Sequence, residues 1–184
     1  GIYYMPRLIK AFKLGDAAIL KELIIILAEN KIKVIKSNYY NPELSLKRGI
    51  YTKIKPNKKT LLQIKSGVKS FQKLNAYNHT QAIIVDQNGS IFKETSKGTK
   101  KMIETINNKK DNHRILIKFP KKKQDLRADL PTIGLDTLKD CKKANLKGIV
   151  LKANKNIFLD QKRSISFANK NNIFIHVLWK EYLL

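Results

Sequence analysis

The segment between residues 118 and 134 combines residue types that suit chemistry on a phosphate ester or a phosphoanhydride. It contains two carboxylates, an amide, a hydroxyl and five cationic side chains. Lysine, arginine and backbone amides bind phosphate oxygens, whereas a carboxylate binds a hard cation or activates a water molecule. The residues that carry these groups are Lys118, Lys121, Lys122, Lys123, Gln124, Asp125, Arg127, Asp129 and Thr132.

The two carboxylates of this segment, Asp125 and Asp129, are four residues apart. On a helical turn this spacing brings the side chains within ~6 Å, whereas an extended strand separates them by ~13 Å. Pro131 disfavours a helical conformation at Leu130, so a turn would end at Asp129. Such a turn lets both carboxylates serve one Mg²⁺, which commonly takes one or two carboxylates and phosphate oxygens. The structural alternative is local pairing with Arg127 or Asx-type capping of backbone amides.

Further cationic and helix-terminal positions extend the prediction to substrate binding. Arg127 is the best candidate for a phosphate clamp, and Lys118, at the end of a predicted strand, supplies a second cation or a solvated surface charge. Thr132 lies just before one predicted helix, and Thr99 is predicted to cap another that opens at Gly98. Helix N-termini attract anions, although a plain capping role is the alternative at both helices.

The hydrophobic pattern predicts alternating strands and helices, with a strand over residues 114–119 that leads into this segment. Helices are predicted over 16–30, 60–74, 98–107 and 136–145 and from residue 160 onward. Further strands are predicted over 32–35, 50–54, 81–86, 90–92, 148–151, 157–159 and 173–178. Because hairpins supply antiparallel pairs and helical crossovers supply parallel pairs, the predicted fold class is α/β, with a mixed sheet and helices packed on it.

The net charge of +24, from 38 basic and 14 acidic residues, raises the question of nucleic-acid binding. Only five of the basic residues are arginine, whereas nucleic-acid interfaces favour the bidentate guanidinium group. Because the lysines are spread through every segment, we interpret most of them as solvated and predict no nucleic-acid partner. Each lysine near an anionic bilayer contributes about 1 kcal/mol of attraction, so the charge is consistent with peripheral membrane docking.

Several other classes of protein lack support in the sequence. The longest uncharged apolar run, over residues 23–28, is far shorter than the ~20 residues of a membrane-spanning helix. The single Cys141 fits a reducing compartment and a core position, and the three histidines are too dispersed to form a zinc site. Glycine-rich phosphate loops, dinucleotide fingerprints and nucleophile elbows do not occur.

The order Gln-Asp-x-Arg-x-Asp-x-Pro-Thr-Ile-Gly, which begins at Gln124 about a strand after a Gly-Thr helix start, resembles the UDP-2,3-diacylglucosamine pyrophosphatase family of lipid A biosynthesis. The resemblance extends over nearly the whole chain and corresponds to the C-terminal two thirds of that family. Other positions that carry it are 15–16, 49–52, 81–82, 94, 98–99, 148–153, 157–160 and 176.

This resemblance implies the C-terminal catalytic domain of a two-domain family. Residues 1–56 would form a segment that links to an N-terminal domain, and residues 57–184 would form the α/β domain. The implied reaction is hydrolysis of UDP-2,3-diacylglucosamine to 2,3-diacylglucosamine 1-phosphate and UMP, with Mg²⁺ or another divalent metal. The implied location is the cytoplasm of a Gram-negative bacterium, peripheral to the inner membrane, and a homodimer is compatible with the resemblance.

The resemblance also assigns roles to particular residues. An essential aspartate lies in the 124–134 segment of the family, so Asp125 and Asp129 are the predicted catalytic and metal-binding residues. The predicted substrate-binding residues are Gln81, Gly98, Thr99, Lys118, Gln124, Arg127 and Thr132.

Two departures from the family pattern support alternatives to an active enzyme. Asn78 and Lys100 stand where the family usually has aspartate. The first alternative is therefore a non-catalytic or truncated family member that still binds a nucleotide-lipid. The second, motivated only by net charge, is a basic nucleic-acid-binding protein.

Overall fold

The computed structural model describes residues 2–75, 80–106, 113–122 and 124–179, and these residues form six α-helices and eight β-strands. The helices are α1 (Met5–Lys13), α2 (Asp16–Glu29), α3 (Lys58–Asn75), α4 (Gly98–Ile106), α5 (Leu135–Lys143) and α6 (Gln161–Lys170). The strands are β1 (Gly49–Ile50), β2 (Ala82–Val85), β3 (Ile91–Lys93), β4 (Ile115–Lys118), β5 (Thr132–Ile133), β6 (Gly148–Lys152), β7 (Ile157–Phe158) and β8 (Phe174–Leu178).

Six of these strands form one mixed sheet in the order β1-β8-β6-β4-β2-β3. The central strands β4, β6 and β8 are parallel, because helical crossovers connect them. Strand β2 is antiparallel to β4 and to its hairpin partner β3, and β1 is antiparallel to β8. The short strands β5 and β7 form a separate parallel pair. The predicted α/β class with a mixed sheet is confirmed.

Helices cover the two faces of the sheet unequally. On one face, α3 packs on β2 and β4 through Ile64, Val68 and Phe71. On the other face, α4, α5 and α6 bury a larger cluster that includes Leu138 and Cys141. The period of apolar residues in α3 dictates this packing, because positions three and four apart lie on one side of a helix. Cys141 is a buried core residue, as predicted.

Helices α1 and α2 form an antiparallel pair at the start of the chain. Arg7 of α1 forms ion pairs with Glu22 and Glu29 of α2, and the buried Ala11 allows the helices to approach. None of the described helices combines the length and the apolar composition needed to cross a bilayer.

The strand predicted over residues 32–35 is wrong, because these residues follow α2 in an irregular conformation. Alternation alone does not make a strand, and these residues pair with no strand of the described sheet. The extended segment predicted over 50–54 is limited to β1. Asn78 and the end of the helix predicted to reach Asn107 lie outside the described residues. The domain boundary between residues 56 and 57 stays a prediction.

Candidate active site

The candidate site lies at the edge of the sheet where the parallel strands β4, β6 and β8 end. The antiparallel strand β2 begins at this edge, because Ala82 pairs with Lys118 at the end of β4. Ligands of open α/β sheets bind in the crevice outside the carboxyl ends of the parallel strands. The polar segment predicted to carry chemistry follows β4 directly, so the topology brings it to this edge.

The two aspartates of the segment lie on one tight turn. The backbone N–H of Asp129 donates to the carbonyl oxygen of Asp125 at 2.9 Å, and the N–H of Ala128 donates to the same oxygen at 3.2 Å. Pro131 and Leu130 are buried behind the turn. The predicted turn that ends at Asp129 is therefore confirmed.

Asp125 forms an ion pair with Arg127 across this turn. The Nη2 atom of Arg127 donates to Oδ2 at 2.7 Å, and its Nε atom donates to Oδ1 at 3.0 Å. The backbone N–H of Arg127 also donates to Oδ1 at 3.0 Å, which makes an Asx-type turn. The side-chain hydrogen bond from Arg127 lowers the pKa of Asp125, so this carboxyl remains ionised well into the acidic range.

Asp129 is half-buried, and no residue in the described part of the chain donates a hydrogen bond to its carboxylate. A carboxylate without a protein partner retains all its lone pairs for a cation, a water molecule or a ligand donor. The local structure therefore separates the two aspartates, since Asp125 orients Arg127 and Asp129 is available to other groups.

The amide of Gln124 is fixed by two donors. Its Oε1 atom accepts from the backbone N–H of Lys121 at 2.8 Å and from Nε2 of Gln81 at 3.2 Å. Because both neighbours donate, the atom that they contact must be the amide oxygen of Gln124. The Nε2 atom of Gln124 therefore points away from Lys121 and Gln81. That Nε2 atom is buried and has no hydrogen-bond partner among the described residues. An unsatisfied buried N–H₂ group is costly unless a water molecule or a ligand accepts from it.

Glu94 connects two regions that the sequence assigned separately to substrate binding. Its Oε2 atom accepts from the backbone N–H of Gln81 at 3.2 Å, and its Oε1 atom accepts from the hydroxyl of Thr99 at 2.6 Å. Thr99 is the second residue of α4, which begins at Gly98 with φ +81°, so the prediction of Thr99 as N-cap is wrong. Glu94 was recognised as a family-like position but not as a site residue, because only the fold brings it to Gln81.

Lys118 and Thr132 meet on the side of the edge that faces α5. The Nζ atom of Lys118 donates to the backbone carbonyl of Thr132 at 3.3 Å. Burial lowers the pKa of Lys118, and the nearby carboxylate of Glu94 opposes this shift. The hydroxyl of Thr132 donates to the carbonyl of Leu130 at 3.2 Å.

A cavity of about 410 Å³ opens on the other side of this edge, towards α3. Gln124 and Leu126 form part of its wall, and cationic side chains surround it. Lys152 is the last residue of β6, and Lys155 lies in the turn that follows. They were not predicted as site residues, because only the strand order brings β6 beside β4. The lysines around the cavity are Lys121, Lys122, Lys152 and Lys155.

The residues of the turn can hold a divalent cation only with help from a ligand. The described residues contain no group of three or more His, Cys, Asp or Glu side chains that could hold a metal ion. Both oxygens of Asp125 accept from Arg127, so Asp129 is the one carboxylate of this turn that is left to contribute to a cation, whose remaining ligands would be phosphate oxygens and water.

The fold and the site together define an α/β protein with a mixed sheet, a lysine-lined cavity and an acidic turn at the carboxyl edge of that sheet. The chain belongs to the family described as the LpxI C-terminal domain, whose family model matches residues 47–176. It is also similar to the UDP-2,3-diacylglucosamine pyrophosphatase LpxI of Caulobacter vibrioides, with 25% identity over 183 residues. The aligned region covers 95% of this chain and 65% of the relative, so the chain spans less than two thirds of the relative's length.

Proposed function

We propose that this chain hydrolyses the pyrophosphate bond of UDP-2,3-diacylglucosamine, giving 2,3-diacylglucosamine 1-phosphate and UMP. The observation that carries the proposal is the union of three elements at one sheet edge. These elements are the Nε2 group of Gln124, which has no partner among the described residues, the lysine-lined cavity and the available carboxylate of Asp129. The oxygens of a diphosphate would accept hydrogen bonds from Gln124 and from the lysines of the cavity. Its phosphorus would be attacked by a water molecule that Asp129 holds. Membership of the LpxI C-terminal domain family and the similarity to a UDP-2,3-diacylglucosamine pyrophosphatase support the choice of this substrate.

In this proposal the lysines of the cavity and Gln124 bind the diphosphate oxygens. A water molecule attacks one phosphorus and forms a new P–O bond, while the bond from that phosphorus to the bridging oxygen breaks. Asp129 accepts the proton of the attacking water as a general base. The leaving phosphate keeps the bridging oxygen and the bonding electron pair, and a nearby cation such as Arg127 offsets its charge. Lys118, Gln81, Gly98, Thr99 and Thr132 shape the rest of the site.

Asp125 has a positioning role in this proposal, because its carboxylate holds the guanidinium of Arg127. If Mg²⁺ binds, Asp129 and Asp125 are the residues that would hold it, and Asp125 would then exchange its ion pair with Arg127 for the cation. The ion would offset negative charge that builds on the pyrophosphate during hydrolysis. If Asp125 acts mainly through Arg127, Asp125→Asn should reduce the rate less than Asp129→Asn does. Equal rates in Asp125→Asn and the wild-type protein would remove the positioning role.

Peripheral association with the cytoplasmic surface of a Gram-negative inner membrane is part of the same proposal. Helix α1 exposes Met5, Ile9 and Phe12 at the spacing of one helical face, and Lys10 and Lys13 are exposed beside them. Apolar and cationic side chains on one helix suit an anionic bilayer surface. Cosedimentation with phosphatidylglycerol vesicles, but not with phosphatidylcholine vesicles, is the expected result. Sedimentation equilibrium of the same protein tests the proposed homodimer.

A binding protein without catalysis is the second candidate. It is favoured by the ion pair that engages Asp125. The two candidates differ in one experiment, in which the chain is incubated with UDP-2,3-diacylglucosamine and Mg²⁺ and UMP is measured. Release of UMP that EDTA suppresses supports a metal-dependent hydrolase, whereas saturable binding without UMP supports the second candidate.

A further inference from the structure

An apolar groove of about 440 Å³ lies between α3 and β8. Its α3 wall includes Leu61 and Leu62, whose side chains remain 43% and 69% exposed. Its floor includes His176 and Leu178 of β8. This volume lies within the range of sites that bind small molecules, which is about 300–1,000 Å³. Contiguous exposed apolar surface of this kind often marks a ligand groove or an interface.

The groove exists because a single helix covers this face of the sheet. Helix α3 packs on β2 and β4, so the part of the face formed by β8 extends beyond it. Side chains alternate along a strand, so His176 and Leu178 project towards the same side as α3. Among the described helices, α3 alone contributes residues to the lining of this groove. Burial lowers the pKa of His176, which keeps the imidazole uncharged at neutral pH and compatible with an apolar ligand.

The groove lies next to the lysine-lined cavity at the carboxyl edge. Lys152 of β6 lines the cavity, Leu178 of β8 lines the groove, and these two residues are paired in register. Neighbouring strands are only about 4.8 Å apart, so the two depressions adjoin. One end of the combined surface therefore carries four lysines and the Gln124 amide, and the other end is hydrocarbon. The rim of the groove adds Lys58 and Lys65.

We infer that the groove binds an acyl chain of an anionic lipid whose phosphate or diphosphate group lies in the lysine-lined cavity. The charge of the cavity selects the head group, and the apolar walls of the groove select the hydrocarbon. The identity of the lipid rests on the proposed function, under which the groove holds one acyl chain of UDP-2,3-diacylglucosamine. Each methylene group buried in the groove should strengthen binding by about fourfold.

The test compares dissociation constants of the full chain and of a Leu61→Gln/Leu62→Gln variant. Both leucines are exposed, so the double substitution leaves the buried core intact, and thermal denaturation checks this. The ligands are UDP-2,3-diacylglucosamines of increasing acyl length, UDP alone, and a monoacylglycerol phosphate, all below their micelle concentrations. Leu62→Trp, which narrows the groove, is a second variant, and Ile91→Gln, an exposed apolar residue on the distant strand β3, is the control.

The inference predicts that the double variant binds the long-chain lipid at least ten times more weakly but binds UDP as the wild-type chain does. In the double variant, the affinity for UDP-2,3-diacylglucosamines should no longer increase with acyl-chain length. In Leu62→Trp, the chain length that binds most tightly should be shorter than for the wild-type chain. Unchanged affinity for long-chain lipids, an equal effect of Ile91→Gln, or a change of oligomeric state in place of affinity would overturn the inference.

The two proposals fail in different ways. Binding of the monoacylglycerol phosphate through the groove, without hydrolysis of the UDP-lipid, supports the groove and removes the proposed reaction. Hydrolysis of the UDP-lipid at rates and affinities that the groove variants do not change supports the reaction and removes the groove.

Discussion

The side-chain amides of Gln81 and Gln124 meet in a hydrogen bond of 3.2 Å that joins the start of β2 to the loop after β4. Gln124 also accepts from the backbone N–H of Lys121, so its oxygen is fully used and its Nε2 group is the free donor. The site thus offers an oriented N–H₂ group before any ligand binds. Such preorganisation reduces the ordering cost of binding.

Substitution Gln124→Glu tests whether this donor contacts the diphosphate. The variant keeps the acceptor for Lys121 and Gln81 but replaces the N–H₂ group with a carboxylate oxygen. We expect the dissociation constant for UDP-2,3-diacylglucosamine to rise by about 10-fold or more, because a donor is lost and negative charge enters. Calorimetric titration measures this change. Gln87→Glu, on the exposed hairpin turn, is the control, and wild-type affinity in Gln124→Glu would refute the assignment.

Lys118→Met tests the half-buried cation at the end of β4. Burial lowers the pKa of Lys118 in the folded chain below the ordinary value of 10.5, so the unfolded state binds more protons between these two values. The contribution of Lys118 to the free energy of unfolding should therefore become more favourable as pH rises through this window. The methionine variant lacks this contribution.

Urea denaturation of both proteins across the alkaline range measures the effect. The stability of the wild-type protein relative to Lys118→Met should rise with pH, while the rate of UMP release should fall in the variant at neutral pH. A stability difference that does not depend on pH would show that the Lys118 amine is solvated.

Arg127→Met tests the ion pair on the acidic turn. The pKa of Asp125 is lowered mainly by the Arg127 hydrogen bond, so it should rise towards the ordinary value of 3.8 in the variant. A carboxyl with a lowered pKa stabilises the fold above its ordinary pKa and loses this contribution as pH falls through the lowered value. The stability difference between the two proteins should thus vanish in acid. Carbon-detected NMR titration of the Asp125 carboxyl measures the pKa directly.

Arg163→Met is the matched control for this titration, because Arg163 pairs with Asp160 only at 3.9 Å and both side chains are exposed. It should leave the Asp125 titration unchanged. The same titration curve for Asp125 in Arg127→Met and in the wild-type protein would mean that the pair does not form in solution.

Gly148→Ala tests the packing of the parallel strands. A Cβ atom at Gly148 would lie 2.3 Å from the ring of the buried Phe174 on β8. Overpacking of this kind costs about 1–3 kcal/mol, which denaturant titration would detect. Gly134→Ala is the comparison, because its nearest neighbour would be 3.3 Å away and its φ is extended. Equal stability of Gly148→Ala and the wild-type protein would contradict this arrangement of β6 and β8.

Local signals were sufficient for much of the fold. The period of apolar residues predicted α3, and the Asn88–Gly89 turn predicted the β2–β3 hairpin, where Gly89 has φ +84°. The acidic turn was also predictable, because Pro131 ends it. Helix α1 was not predicted, because Tyr4 at its start makes no side-chain cap. Pro6, in the first turn of the helix, is the local signal that could have indicated it.

Contacts between distant segments could not be predicted from local patterns. The link from Thr99 through Glu94 to Gln81 depends on the β2–β3 register and on where α4 begins. Lys152 reaches the cavity only because β6 lies next to β4 in the sheet. From the sequence, Asp125 could either share a metal ion with Asp129 or pair locally with Arg127. The choice between them depends on side-chain geometry, which residue spacing does not determine.

The most direct test of the account is the rate of UMP release from UDP-2,3-diacylglucosamine by Asp129→Asn. Asp136→Asn, at a highly exposed carboxylate on α5, is the control. General-base catalysis contributes about 10²–10⁴-fold to rates, so Asp129→Asn should lose at least 100-fold in kcat while its affinity for the substrate stays near the wild-type value. Turnover at the wild-type rate in Asp129→Asn would contradict the central claim that Asp129 activates the attacking water.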